Sequence, residues 1–293
     1  MMMSTSDPET AMFNRRRFLP AASHLPFIAP FIALCALPLV PLMATAQQET
    51  EDWIARCERQ QRDAERSVHC EVREATIPVP ARLDVEASPN GGVSVRAAER
   101  NDVHVTARVQ TWATTEAAAR ELAQRIRIET SEGRIRAEGP RNTEEQRQGW
   151  SVSFVVSAPG RIDLAARTVN GGVDVSGITG DVNLQTVNGG IHLEGVDGEV
   201  EAHTTNGGIE ARLANGWRGE SVSLHTTNGV ISLAVPEGFA AALSASTVHG
   251  AIETDFPVTV QGRIGRSLTA QIGGGGPPVR LATTNGAISI RRR

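Results

Sequence analysis

Lysine and tyrosine are absent from this 293-residue chain, and aromatic residues make up only 4% of it. All 29 basic residues are therefore arginine, and 33 acidic residues outnumber them. A chain without a basic excess offers no footprint for a phosphate backbone, so nucleic acid is not an expected partner. The scarcity of aromatic platforms argues against a processive glycan groove: of the four tryptophans, Trp53, Trp112, Trp150 and Trp217, only Trp217 falls among the repeats described below. There is no Gly-Gly-x-Gly-x-Asp calcium repeat, no phosphate loop and no recognisable Ser-His-Asp spacing, so no catalytic residue, cofactor or metal ligand is assigned. Cysteine is also scarce, with three in the whole chain.

What the chain has in abundance is a repeat. Thr168-Val169-Asn170-Gly171-Gly172-Val173 returns as Thr186-Val187-Asn188-Gly189-Gly190-Ile191 and as Thr204-Thr205-Asn206-Gly207-Gly208-Ile209, with the asparagines 18 residues apart. Further copies stand at Thr226–Gly229, Thr247–Gly250 (with His249 in the asparagine position) and Thr283–Gly286, and a divergent one at Ser88–Val93. A fixed period near 20 marks a repeat architecture. Three residues after each turn asparagine lies a β-branched apolar residue: Val93, Val173, Ile191, Ile209, Ile231, Ile252 or Ile288. Apolar residues also recur six and four before it, as in Val182 and Leu184. Alternation of period two is a half-buried strand. Asn-Gly accepts positive φ at little cost, so it is expected to mark the bend.

Two arrangements fit. Each Asn-Gly could close a hairpin in an antiparallel meander, or each copy could be one coil of a solenoid with equivalent strands stacked in parallel. The recurrence of Thr and Asn favours the second, because stacked side-chain ladders require constant residues and hairpin turns do not. The expected fold is mainly β: a β-solenoid of single-stranded, β-helix-like coils of about 18–22 residues, preceded by a small strand-plus-helix subdomain. Asn170, Asn188, Asn206, Asn228 and Asn285 are the expected turn ladder.

Read in order, residues 1–46 resemble an export signal. Arg15-Arg16-Arg17 precedes an apolar run from Leu25 to Met43, and Ala44-Thr45-Ala46 suits cleavage after Ala46. Asn14–Leu19 also resembles a twin-arginine signal, and both that route and the general secretory route stay open. The run is long enough to be considered as a membrane anchor, but its prolines and small-residue end favour cleavage. Residues 47–77 form an N-terminal segment with Cys57 and Cys70, an even pair that in an exported chain reads as a disulfide; twelve intervening residues are not metal or redox spacing. Residues 51–69 suggest a short polar helix. Residues 78–160 read as strands around one helix, Thr114–Arg125, with Thr115 as N-cap. Residues 161–293 are the repeat region, although 78–293 could form one continuous domain. Between His249 and Asn285 the spacing widens, which reads as a loop excursion or as a degenerate coil on Leu268, Ala270 and Ile272. Arg291-Arg292-Arg293 could discourage stacking at the far end of the solenoid.

The strands with one alanine-rich helix, followed by Thr-x-Asn-Gly-Gly coils at Thr168–Gly172, Thr186–Gly190 and Thr204–Gly208, resemble the YvlB-like domain of unknown function, a bacterial envelope family also called putative adhesin. The resemblance covers roughly residues 70–293. It implies an extracytoplasmic β-solenoid that is periplasmic, cell-surface or secreted, with no established activity and no catalytic residues. The expected function is a non-enzymatic envelope module that presents its faces to an unidentified envelope polymer or protein. The alternative is a polysaccharide lyase or hydrolase, which needs at least two carboxylates and a base on one face. Asp174, His192 and Glu210 share a register and are the nearest approach to one. His203 and His225, each three residues before its asparagine, share another. A self-assembling scaffold is a third possibility, disfavoured by the terminal arginines and the irregular 250–282 region.

Overall fold

The computed structural model describes residues 43–60, 66–141, 147–257 and 266–293. The arginine triplet, Cys35 and the rest of the expected export segment up to residue 42 lie outside the described residues. Helix α1 (Met43–Gln60) precedes strands β1 (Ser67–Pro78), β2 (Arg82–Glu86), β3 (Val93–Ala97) and β4 (Asp102–Ala113). Helix α2 (Glu116–Gln124) follows, then β5 (Arg127–Glu129), β6 (Arg134–Glu138) and β7 (Gly149–Ala158). From there each repeat contributes two strands: β8 (Asp163–Arg167) and β9 (Val173–Ser176), β10 (Val182–Asn188) and β11 (Ile191–Val196), β12 (Val200–Asn206) and β13 (Ile209–Leu213), β14 (Val222–Asn228) and β15 (Ile231–Val235), β16 (Ala241–His249) and β17 (Ile252–Thr254). Strands β18 (Ser267–Ile272), β19 (Pro278–Asn285) and β20 (Ile288–Arg292) complete the chain.

The expected helix over 51–69 is displaced. It ends by Gln60 and begins upstream of Ala46, while Ser67 already belongs to β1, whose Val68, Cys70 and Val72 alternate as a strand. Helix α2 is capped as its sequence requires: the Thr115 hydroxyl accepts from the Ala118 amide at 3.2 Å.

The strand before each Asn-Gly joins one ten-stranded sheet and the strand after it joins the other. In order, the sheet of the strands before the turns is β18-β16-β19-β14-β12-β10-β8-β2-β6-β5, and that of the strands after them is β1-β4-β7-β3-β9-β11-β13-β15-β20-β17. Equivalent strands of successive copies pair in parallel and in register, Val182 with Val200 and Leu184 with Ala202, Ile191 with Ile209 and Leu193 with Ala211. Parallel pairing excludes the hairpin meander, because a two-residue turn can only join antiparallel strands. The alternating apolar positions all point between the sheets, where they form one contiguous core from Leu83 to Ile290. Each Leu, Ile or Val buried there contributes roughly 1.5–3 kcal/mol.

Stacking does not follow sequence order at either end. Strands β2 and β3, from the stretch before the regular repeats, lie directly against β8 and β9, and β6 and β7 lie outside them although they come later in the chain. At the other end β19 and β20 insert between β14/β15 and β16/β17. The widened spacing before Asn285 is therefore neither a simple excursion nor an added parallel coil: Leu268, Ala270 and Ile272 lie on β18, which runs antiparallel along β16. The terminal arginines are likewise not at the edge of the stack. Strand β20 is interior, and Arg293 reaches back to Glu194 and Asn215.

At the β1 end, β1, β4 and β7 pair antiparallel and lie between two helices. Ala119, Leu122 and Ala123 of α2 are buried on the inner side, where the Thr111 hydroxyl donates to the Ala119 carbonyl at 2.7 Å. Arg73 on β1 donates to the carbonyls of Ala123 and Ile126, satisfying acceptors at the end of α2. On the opposite side α1 is held by the Cys57–Cys70 disulfide, and Trp53 lies 5.9 Å from the Arg108 guanidinium.

Candidate functional site

Each repeat turns at a corner built from three residues with different tasks. The threonine two before each asparagine is buried, and its hydroxyl donates to the glycine carbonyl of a neighbouring corner: Thr186 to Gly171 at 2.9 Å, Thr204 to Gly189 at 2.8 Å, Thr226 to Gly207 at 2.8 Å. A buried hydroxyl needs such an acceptor, which explains why threonine stands here rather than valine. Thr204→Val keeps the shape and removes the donor, and a loss of about 2 kcal/mol in a denaturant melt is expected.

The asparagines lie outside the threonines. Asn188 donates to Asn170, Asn206 to Asn188 and Asn228 to Asn206, each at 2.8 Å, and Asn285 to Asn228 at 2.7 Å. Asn170 continues the row to Asn90 at 2.9 Å. Asn188 is both donor and acceptor, so Asn188→Ala cuts two bonds and is expected to cost more than the ~1 kcal/mol of a single ordinary bond, as urea unfolding would measure.

The glycine after each asparagine has a reason the sequence reading missed. Gly171, Gly189, Gly207 and Gly229 do not occupy the left-handed region. A Cβ on any of them would instead overlap the backbone carbonyl of the next corner: Gly91, Gly171, Gly189 and Gly207 respectively. Close backbone approach, not positive φ, demands glycine at these four, whereas Gly91 and Gly286 combine the same close approach with the positive φ expected of Asn-Gly.

Two polar rows on the outer faces hold the remaining candidates. On β9, β11 and β13, Asp174, His192 and Glu210 are register partners beside Ser232 of β15, over a shallow groove of about 540 Å3 floored by Gly172, Gly190 and Gly208. His192 Nδ1 lies 3.5 Å from Glu210, whose carboxylate also takes Arg212 at 2.6 Å. Arg212 bridges on to Glu194 at 2.6 Å. This is a face of paired opposite charges. Among the described residues no group of three His, Cys, Asp or Glu side chains could hold a metal ion.

On the other sheet His203 of β12 and His225 of β14 are partners, with ring centroids 4.8 Å apart. Gln185 and Ala282 flank them along the row, and Glu201, Ser223 and Arg280 face outward beside them. Burial, and then the neighbouring His203 ring, lower the pKa of His225. The unfolded chain, with an ordinary histidine near ~6.5, therefore binds the proton first. The stability this group contributes is present above that pH and is lost as the pH falls toward the folded pKa. Denaturant midpoints are expected to fall between pH 7.5 and 5.5, and to fall less in His225→Gln.

Trp217, the tryptophan within the repeats, is half-buried. Its indole donates to the Gly198 carbonyl at 3.0 Å and packs on Phe239 at 5.6 Å, which makes it a corner support rather than a sugar platform. One cavity had no sequence signal. It measures about 650 Å3 and is lined by Glu237, Phe239, Phe256, Ile272 and Arg292, drawn from segments far apart in the chain.

Residues 102–291 match the family model described as Toastrack DUF4097. The chain belongs to this family. The Toastrack match starts at the first residue of β4 and ends in β20, so α1 and β1–β3 precede it, although β2 and β3 are built into the same two sheets. Comparison with curated proteins gave no match. Among solved structures, the Toastrack chain is similar to a putative cell adhesion protein from Clostridium sporogenes, with 10% identity, 78% of this chain and 100% of that one covered, and a TM-score of 0.44. It is also similar to a putative adhesin from Bacteroides fragilis (12% identity, 76% and 97% covered, TM-score 0.33) and a putative lipid binding protein from Parabacteroides distasonis (11%, 77% and 97%, 0.31). No helix among the described residues is long and apolar enough to cross a membrane.

Proposed function

We propose that this chain is an exported, non-enzymatic β-solenoid of the cell envelope, of the YvlB-like kind, that binds an envelope polymer or protein through its flat outer faces. The observation that carries the reading is the in-register parallel stack, which repeats each outward position at every strand spacing of ~4.8 Å and so presents rows rather than a pocket. In this reading each copy closes one coil. Residues 1–46 are removed as the export signal, residues 47–77 form the disulfide-pinned segment and residues 78–160 continue into the repeats at 161–293. The apolar run, the small residues ending at Ala46 and the Cys57–Cys70 bridge support an extracytoplasmic location.

The test is to incubate the chain from Gln47 onward with envelope and plant polysaccharides, recording both retention on the polymer and new chain ends. Retention without new ends supports a binding module. New ends would replace this reading with the polysaccharide-cleaving one, and Asp174 and Glu210 would be the first carboxylates to change. Neither outcome on any polymer directs the search to protein partners.

A further inference from the structure

His203 and His225 serve neither the threonine–asparagine corners nor the core, and they differ from three of the other four described histidines, His249 being the fourth. His69 contacts Glu71, His104 contacts Thr76 and Thr106, and His192 contacts Glu210. The rings of His203 and His225 are within contact of each other, and neither makes a hydrogen bond or ion pair with any described residue. Partners in a parallel ladder leave the sheet side by side, so both imidazoles project from the same face, here tilted 41° to one another. A tetrahedral cation with Zn–N bonds of about 2.1 Å spans ligand nitrogens roughly 3.4 Å apart. Rings centred 4.8 Å apart reach that separation by small side-chain rotations.

We propose that His203 and His225 form a two-imidazole site for a divalent cation of the late first-row series, clipping two adjacent coils together, with water in the remaining positions. Imidazole nitrogen selects copper, nickel and zinc over magnesium and calcium, with copper bound most tightly. The surroundings permit this. Gln185 and Ala282 along the row are uncharged. Glu201, two residues before His203, has one carboxylate oxygen engaged by Asn183 at 2.5 Å and adds negative charge to the face. Arg280 on β19 is the opposing charge, on an exposed side chain beside Ser223. The depressed pKa of His225 keeps its ring neutral, the form that ligates. Because no third protein ligand completes a cluster among the described residues, the site is open to exchange rather than a closed structural centre.

The experiment titrates the full chain, without a polyhistidine tag, at pH 7.5 with Cu2+, Zn2+ or Mg2+, following heat of binding and the urea midpoint. The full chain is expected to bind one more equivalent of Cu2+ or Zn2+ than the His203→Gln/His225→Gln double variant does, and each single variant is expected to lose that equivalent. His192→Gln, on the opposite sheet, is expected to keep it. At a free concentration one hundred times the measured Kd, the folded-to-unfolded ratio rises about a hundredfold in the full chain alone. Affinity falls as the pH is lowered, because imidazole must be deprotonated to ligate. Equal stoichiometry and Kd in the double variant, equal binding of Mg2+, or no saturable binding of either Cu2+ or Zn2+ would overturn the proposal. Both substitutions lie on the exposed face of the sheet, and circular dichroism of each variant would verify its fold.

Discussion

Replacing Gly171 with alanine is expected to destabilise the protein by about 3 kcal/mol or more, while the same change at the adjacent Gly172 stays within about 1 kcal/mol. The two residues share a turn, a strand pair and a solvent environment, so most context effects cancel. They differ in what a methyl group meets. At Gly171 it overlaps the carbonyl and amide of Gly91 and Gly92, backbone atoms that no rotamer change can move aside. At Gly172 it finds the Gly190 carbonyl at 3.5 Å, an ordinary contact. The sequence carries the same distinction. The residue directly after each turn asparagine is glycine in every copy, whereas the next position is Val230, Ala251 or Ala287 in three of them. Urea midpoints of the two variants, with unchanged m-values, would measure the difference. Equal midpoints would mean that the corner spacing yields, and that the backbone approach is not what holds the period.

Breaking the Cys57–Cys70 bridge is the other large expected effect, and it should be local. The bridge closes a 14-residue loop, worth about 3 kcal/mol in the chain-entropy model. Neither cysteine belongs to the core cluster that runs between the sheets. What the bridge holds is α1, against the side of β1 and β4 that carries Cys70 and Arg108. An 18-residue helix is marginal alone in water. In Cys57→Ser/Cys70→Ser, amide exchange over residues 48–60 is therefore expected to quicken about a hundredfold, the kinetic equivalent of that energy. Trp53 emission should shift toward that of a solvated indole, while the midpoint of the β-sheets moves little. A collapse of the whole fold would instead make α1 part of the cooperative unit.

The repeat, its strands and their buried faces could be read directly from Thr-x-Asn-Gly and the apolar positions around it, because a period-two pattern admits one burial assignment. The order of stacking could not. Val200, Val222, Val279 and Leu243 occupy equivalent positions in copies whose inward faces are nearly interchangeable. Nothing local states that β14 neighbours β19 rather than β16. The pairing of β3 with both β7 and β9 is hidden for the same reason, since Val93 would suit either partner. The glycine misreading has another origin: propensity describes a residue with its own backbone, and these glycines answer to the backbone of a neighbouring corner. Of the candidate sites, the His203–His225 and Asp174–His192–Glu210 rows followed from simple counting. The cavity between Phe239 and Arg292 did not, because it depends on where β18 and β20 end.

The interleaving of β19 and β20 also constrains the time course of assembly. A stack whose neighbours are consecutive can grow from its first coil outward as the chain is made. Here residues 241–254 have no native parallel neighbour until residues 278–292 have been synthesised, and before that only β18 can pair with β16. At ordinary translation rates that wait is on the order of seconds. Through that interval Leu243, Ala245 and Ile252 lie on strands with an open edge, beside the open edges that β14 and β15 keep for β19 and β20. Pairing in sequence order, β14 with β16, is then the available misassembly, and it would leave the last two strands stranded outside the sheets. The finished topology is thus reached only by a chain that delays, or reverses, its most local contact.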